Sequence, residues 1–184
     1  PTLGTSDGQF SAGLAKVFDL DVLPIFFRND RMIWRFVTTI DNLPRHHAFP
    51  HILPVQPVSG AFLTATEKAD LVIAPQNSER YLDYLKILQK IDVRSAVDFY
   101  IRFYPLFQES YGKLGYPHQR FNDRVLLAIE DLLESPELPE ATPIETVEAI
   151  CKYQDAALET RSVGQKIMMR IGLDSEQKTK VVLD

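Results

Sequence analysis

Residues 92–124, DVRSAVDFYIRFYPLFQESYGKLGYPHQRFNDR, hold Phe99, Tyr100, Phe103, Tyr104, Phe107, Tyr111, Tyr116 and Phe121. Burying one such ring removes on the order of 150–250 Å² from water, so a stretch this rich in rings must seed a core. Asp92 suits a helix N-cap, because its carboxylate can accept from the free amides of the first turn. Val97, Tyr100, Ile101, Tyr104, Phe107, Tyr111 and Leu114 follow at steps of three and four, which predicts one inward helix face. Pro105 lies inside this pattern without an amide hydrogen and predicts a kink or a split. Gly112 weakens the end, and Gly115-Tyr116-Pro117 reads as the stop. The stripe reads as packing core in preference to an aromatic-lined groove, with every buried phenol needing a partner. Asn122 then reads as the N-cap of the next helix, with Phe121 and Leu126 as its hydrophobic staple and Asp123 in the first turn.

The remaining chain reads as one domain spanning residues 1–184, with 1–8 a loose lead-in. Helices are predicted over 10–18 and over 21–40, the second with Pro24 in its opening turn and a break at Asn29-Asp30. Asp41-Asn42-Leu43-Pro44 ends it. Residues 60–65 and 71–74 read as a hairpin. Asn77 or Ser78 caps a helix that turns Tyr81, Leu82, Leu85, Leu88 and Ile91 inward. Residues 135–143, rich in proline and acids, read as an exposed loop, and in 146–154 a strand competes with a helix. Asp155 caps a closing helix to Arg170, Gly172 ends it, and 174–182 form a last amphipathic helix. The fold class is therefore α+β and predominantly helical: about seven helices around a Pro-kinked aromatic helix, with one small β-hairpin.

A net charge of −5 without a basic cluster argues against nucleic acid or an anionic membrane surface as partner. No apolar run reaches the roughly 20 residues that span a bilayer. A single cysteine, Cys151, excludes an internal disulfide and reads as a buried structural thiol. The start at Pro1 rather than Met raises the expectation of a preceding signal or anchor. His46, His47 and His51 could ligate zinc or copper, but their spacing is not that of a helical His pair. A solvated loop is expected there, with no metal and no cofactor.

Two polar groups sit at helix ends: Asp41, Asn42 and Arg45, and Asn122, Asp123 and Arg124. Brought together beside Tyr104, they would bind a polar ligand or lend a carboxylate to acid–base work, although caps and ion pairs explain the same residues. Lys166 and Arg170, one turn apart, would pair with acids or bind a phosphate. No glycine-rich phosphate loop, nucleophile elbow or His-Glu-x-x-His motif is present.

The runs RFVTTIDNLPR (35–45), FYPLFQESYGKLGYPHQRFNDR (103–124) and GQKIMMRIG (164–172), with Asn77, Arg80 and Tyr81 between them, resemble the bacterial domain-of-unknown-function family 3014. The resemblance implies a Gram-negative envelope protein, with one N-terminal membrane-spanning segment, a variable linker, and this domain on the periplasmic side of the inner membrane. Membrane contact would come only through that upstream anchor. No activity comes with the family. The expected function is non-enzymatic binding of an envelope protein or a small polar ligand. The alternatives are a cell-wall hydrolase using Asp41 or Asp123 as acid or base, and an oligomeric assembly scaffold.

Overall fold

The computed structural model describes residues 2–18, 26–47, 50–139, 141–148 and 150–184. Among them the chain forms eight α-helices and two antiparallel hairpins, so the helical α+β class stands. No helix among these residues is long and apolar enough to cross a membrane.

Helix α1 (Asp7–Phe18) and α2 (Met32–Asn42) pack on the long helix α4 (Val93–Lys113), with α3 (Leu82–Gln89) between them in sequence. Asp92 caps α4 as expected, accepting from Ser95 N at 2.9 Å. The helix runs through Pro105 as one element, so the predicted split does not occur. The bond that proline removes would have used the Ile101 carbonyl, and Ile101 is 64% exposed, so water can serve that carbonyl.

The inward face also differs from the predicted one. Phe103, Leu106, Phe107, Ser110 and Tyr111 are buried, whereas Val97 is 50% exposed. The cause is α1, which drives Phe10 into the cluster. Its ring meets Phe36, Phe99, Phe103 and Phe107 edge-on, with centroids 5.2, 4.8, 5.0 and 5.9 Å away.

The expected loose lead-in is ordered within its described residues. Leu3–Thr5 is a 3-10 turn, and Asp7 opens α1 while accepting from the amides of Arg31 and Met32 at 2.8 Å each. That distant carboxylate serves the start of α2 after Arg31, whose φ is 49°. The predicted 21–40 helix falls partly on residues 19–25, Pro24 among them, which lie outside the described residues. Within those residues Phe26 is helical, the chain breaks at Asn29-Asp30 as expected, and α2 runs from Met32 past Ile40 to Asn42.

Strands β1 (Thr64–Glu67) and β2 (Asp70–Ile73) pair with Thr64 opposite Ile73. Lys68 and Ala69 make the turn at positive φ, which shifts the first strand four residues beyond its predicted start at Gly60. Asn77 is not a helix cap. It is 1% exposed, accepts from Leu63 N at 3.0 Å, and donates to Ala74 O at 3.2 Å, tying the hairpin to the 3-10 stretch Pro75–Tyr81. Arg80 holds the same asparagine through Oδ1 at 3.0 Å and reaches Gly60 O at 2.8 Å. In α3, Leu85 and Ile87 are buried while Leu82, expected inward, is 43% exposed.

The strand wins over residues 146–154. Strands β3 (Ile144–Val147) and β4 (Ile150–Tyr153) form a second hairpin where only one was predicted, and a bridge between Val72 and Pro143 sets the two side by side. Ile144, Tyr153 and Met169 form a smaller core there, joined by Leu138. The 135–143 loop is thus partly inward, with Ser135 4% exposed. The single closing helix is instead two: α6 (Ala156–Glu159), capped by Asp155, and α7 (Val163–Arg170), capped by Ser162. Gly172, at φ 90°, turns the chain into α8 (Leu173–Leu183), as expected of a glycine.

Candidate functional site

The helix-end groups meet through three residues. Asp41, 6% exposed in the last turn of α2, binds Arg45 Nη2 through Oδ2 at 2.8 Å. Its Oδ1 lies 3.1 Å from Nε of Arg124, which reaches it from α5 (Phe121–Leu133). Both guanidiniums also donate to the Asp41 carbonyl, Arg45 Nε at 3.0 Å. Arg45 Nη2 donates onward to the Tyr116 hydroxyl at 2.6 Å, and the Tyr116 ring stacks on Tyr111 with centroids 4.7 Å apart. Burial would lower the Arg45 guanidinium, but Tyr116 and Asp41 outweigh it and raise it above its usual range.

The other candidates stand apart from this junction. Tyr104 donates its hydroxyl to Gln108 at 3.2 Å, Asn122 accepts from Tyr100 at 3.3 Å, and Asp123 is exposed. Asn122 is not the cap of α5. Phe121 is already helical, and Gln108 Oε1 from α4 accepts its amide at 2.8 Å. The Phe121–Leu126 staple fails as well, since Phe121 is 1% exposed against Phe107 and Tyr111 while Leu126 is 53% exposed.

Helix α7 docks end-on at this junction. Its first amides find carbonyls just beyond α2: Val163 N donates to Arg45 O at 2.6 Å and Gly164 N to Leu43 O at 2.8 Å. Orphan donors of one helix thus meet carbonyls at the end of another. Gln165 Nε2 donates to Asp131 O at 2.9 Å and Ser162 Oγ to Asp131 Oδ2 at 2.6 Å. Burial pushes the Asp131 carboxyl up, against the Ser162 bond. A Cβ on Gly164 would come within 2.8 Å of Leu132 Cδ2 and 3.3 Å of Leu43 O. Gly164→Ala is therefore expected to destabilise by about 1–3 kcal/mol. Urea titration checks it, and a loss below about 0.5 kcal/mol would mean that the docking yields.

Beside this docking lies a groove of about 320 Å³. Leu43, Ile52, Leu53, Ile150, Val163 and Ile167 supply its apolar wall, and Asn42, His46, Glu159, Lys166 and Arg170 its polar margin. Three sequence-predicted candidates therefore meet here: Asn42, Lys166 and Arg170. Lys166 Nζ sits 3.2 Å from Glu159 Oε1, and Glu159 Oε2 accepts from Tyr153 N at 3.0 Å. Burial alone would raise the Glu159 carboxyl, but the Tyr153 amide and Lys166 outweigh it and hold it below the usual carboxylate range. Arg170 donates from Nη2 to Cys151 O at 2.8 Å and lies 5.4 Å above the Tyr153 ring. It also lines a second cavity of about 200 Å³ between the Pro75–Tyr81 turn and the start of α8. Cys151 is half-buried in the groove wall rather than sealed in the core.

His46 faces the groove, and His47 and His51 are exposed. Among the described residues no cluster of three potential metal ligands forms. Ile52, Ile150, Val163 and Ile167 escaped the sequence reading because they come from separate segments with no shared periodicity.

Tyr153 is 2% exposed; its hydroxyl makes no well-formed hydrogen bond among the described residues, although the Arg170 guanidinium acts on it and opposes the effect of burial. Burial pushes this phenol, and that of Tyr100, up to about 12. Such groups stay protonated in the fold while the unfolded chain ionises from pH 10 upward, so stability falls as pH rises from 10 to 12. Tyr153→Phe is expected to leave the thermal midpoint unchanged or raise it at pH 7, and to flatten that alkaline limb. A clear drop at pH 7 would mean that the hydroxyl is bonded.

A family model described as "Protein of unknown function (DUF3014)" matches residues 32–184, which begins at α2 and leaves α1 outside. No curated protein and no solved structure matches the chain.

Proposed function

The chain belongs to the DUF3014 family, and from that premise we propose that it is a non-enzymatic binding module of the cell envelope whose small ligand lies in the groove beside α7. The observation that carries the reading is the groove itself: about 320 Å³, mostly apolar, with a few polar groups converging on one margin. Both carboxylate oxygens of Asp41 lie at arginines, which leaves this acid ill placed to abstract or give a proton. Asp123 stands exposed at a helix start and does not line the groove. Binding therefore fits this geometry better than cell-wall hydrolysis. The envelope setting follows from what the likeness of the three sequence runs implies.

The test uses the neutral fluorescent probe N-phenyl-1-naphthylamine. Its emission is expected to rise with the wild-type chain and not with Ile167→Glu, a change the fold can accept because Ile167 is 43% exposed. No rise, or an equal rise with the variant, would refute the groove as the binding site.

A second reading, assembly through a protein face, has its own observation. Val93, Val97 and Ile101 form an apolar stripe one helical turn apart on α4, 64%, 50% and 64% exposed. Light scattering that gives a stable oligomer, broken by Val97→Glu, would favour it.

A further inference from the structure

We infer that the groove takes an anionic amphiphile: a single alkyl chain along the wall of Ile52, Leu53, Ile150, Val163 and Ile167, with a terminal carboxylate at Arg170. This rests on the small-ligand reading above and names the chemistry of that ligand.

The wall argues for the chain. Among the described residues its apolar members are chiefly branched aliphatics, and the one ring that lines it is the His46 imidazole on the polar margin, so the wall offers plain hydrocarbon contact rather than a stacking plate. A polyol would bury hydroxyls against these side chains without acceptors or donors, which is costly. A flexible hydrocarbon leaves nothing unsatisfied there.

The margin argues for the charge. Lys166 and Glu159 neutralise one another at 3.2 Å, and Glu159 is held in its ionised form by that ammonium and the Tyr153 amide. Arg170 is different. It is half-buried and donates to the Cys151 carbonyl; it helps to hold Glu159 ionised from a distance, but no carboxylate among the described residues forms an ion pair with it. Its contacts with the Tyr153 ring and the Cys151 carbonyl hold the guanidinium in place where the groove and the second cavity share this side chain. A planar fork of donors beside an apolar channel matches a carboxylate, which it can grip with two parallel bonds. The whole chain carries −5, so this is a local attraction and not a general one.

The experiment displaces N-phenyl-1-naphthylamine with decanoate, decanol and decyltrimethylammonium, each below its micellar concentration. Decanoate is expected to displace at a concentration at least about tenfold below decanol, with the ammonium weakest. Arg170→Gln should bring decanoate to the level of decanol while leaving decanol unchanged, and Arg170→Lys should retain part of the preference. Octanoate and dodecanoate should differ from decanoate by about fourfold per methylene. Equal displacement by decanol and decanoate in the wild type would overturn the anionic head and leave the groove standing. So would an Arg170→Gln variant that loses both ligands alike. Failure of all three compounds to displace the probe would sink the small-ligand reading itself.

Discussion

Asp41→Ala is expected to lower stability by about 3–5 kcal/mol, because it takes the counter-charge from a half-buried guanidinium rather than merely removing a contact. The penalty lies with Arg124, whose side chain is 18% exposed, whereas Arg45 at 43% can turn to water. For a chain of this length that loss corresponds to a fall of roughly 6–20 °C in the thermal midpoint. Asp41→Asn, which keeps the volume and one acceptor, should cost less. Calorimetry on both variants checks the ordering, and a loss under about 1 kcal/mol for Asp41→Ala would mean that Arg124 finds other partners.

Phe10→Ala is expected to cost about 3–5 kcal/mol, the usual range for emptying a buried aromatic site. The ring is 0% exposed and touches four other aromatic rings, and its helix lies outside the family-matched residues 32–184. The core of this chain therefore extends beyond the family boundary. Gly13 belongs to the same contact, since a Cβ there would stand 2.9 Å from the Phe99 ring. Urea unfolding measures the loss, and a midpoint unchanged by Phe10→Ala would place α1 outside the cooperative unit.

The sequence reading succeeded where the signal is local. The Asp92 cap, the Gly115 and Gly172 turns, the first hairpin and the last helix all depend on residues within a few positions of one another. It failed where a distant residue decides. Aromatic side chains occur on more than one side of α4, so steps of three and four fit more than one face. Phe10, some 90 positions earlier, selects Phe99 and Phe103 over Val97 and Ile101. Asn122 looked like a cap because Asn is good at it, but Gln108 reaches over from α4 and α5 starts two residues sooner. The second hairpin turns at Glu148 with φ 51° and has no glycine to announce it.

For the site, the meeting of Asp41 and Arg124 was legible as two polar helix ends of one core. The groove was only half so. Asn42, Lys166 and Arg170 stood out by charge and position, while Ile52, Ile150 and Ile167 look like any other aliphatic until the segments are brought together.

Asp41 and Arg124 join α2 to α5 where α7 docks, beside the groove. The most direct test is a double-mutant cycle on stability with Asp41→Ala, Arg124→Ala and the pair. A coupling of at least about 1 kcal/mol, with the double variant less damaged than the sum of the singles, is the predicted result. Additivity within about 0.5 kcal/mol would contradict it.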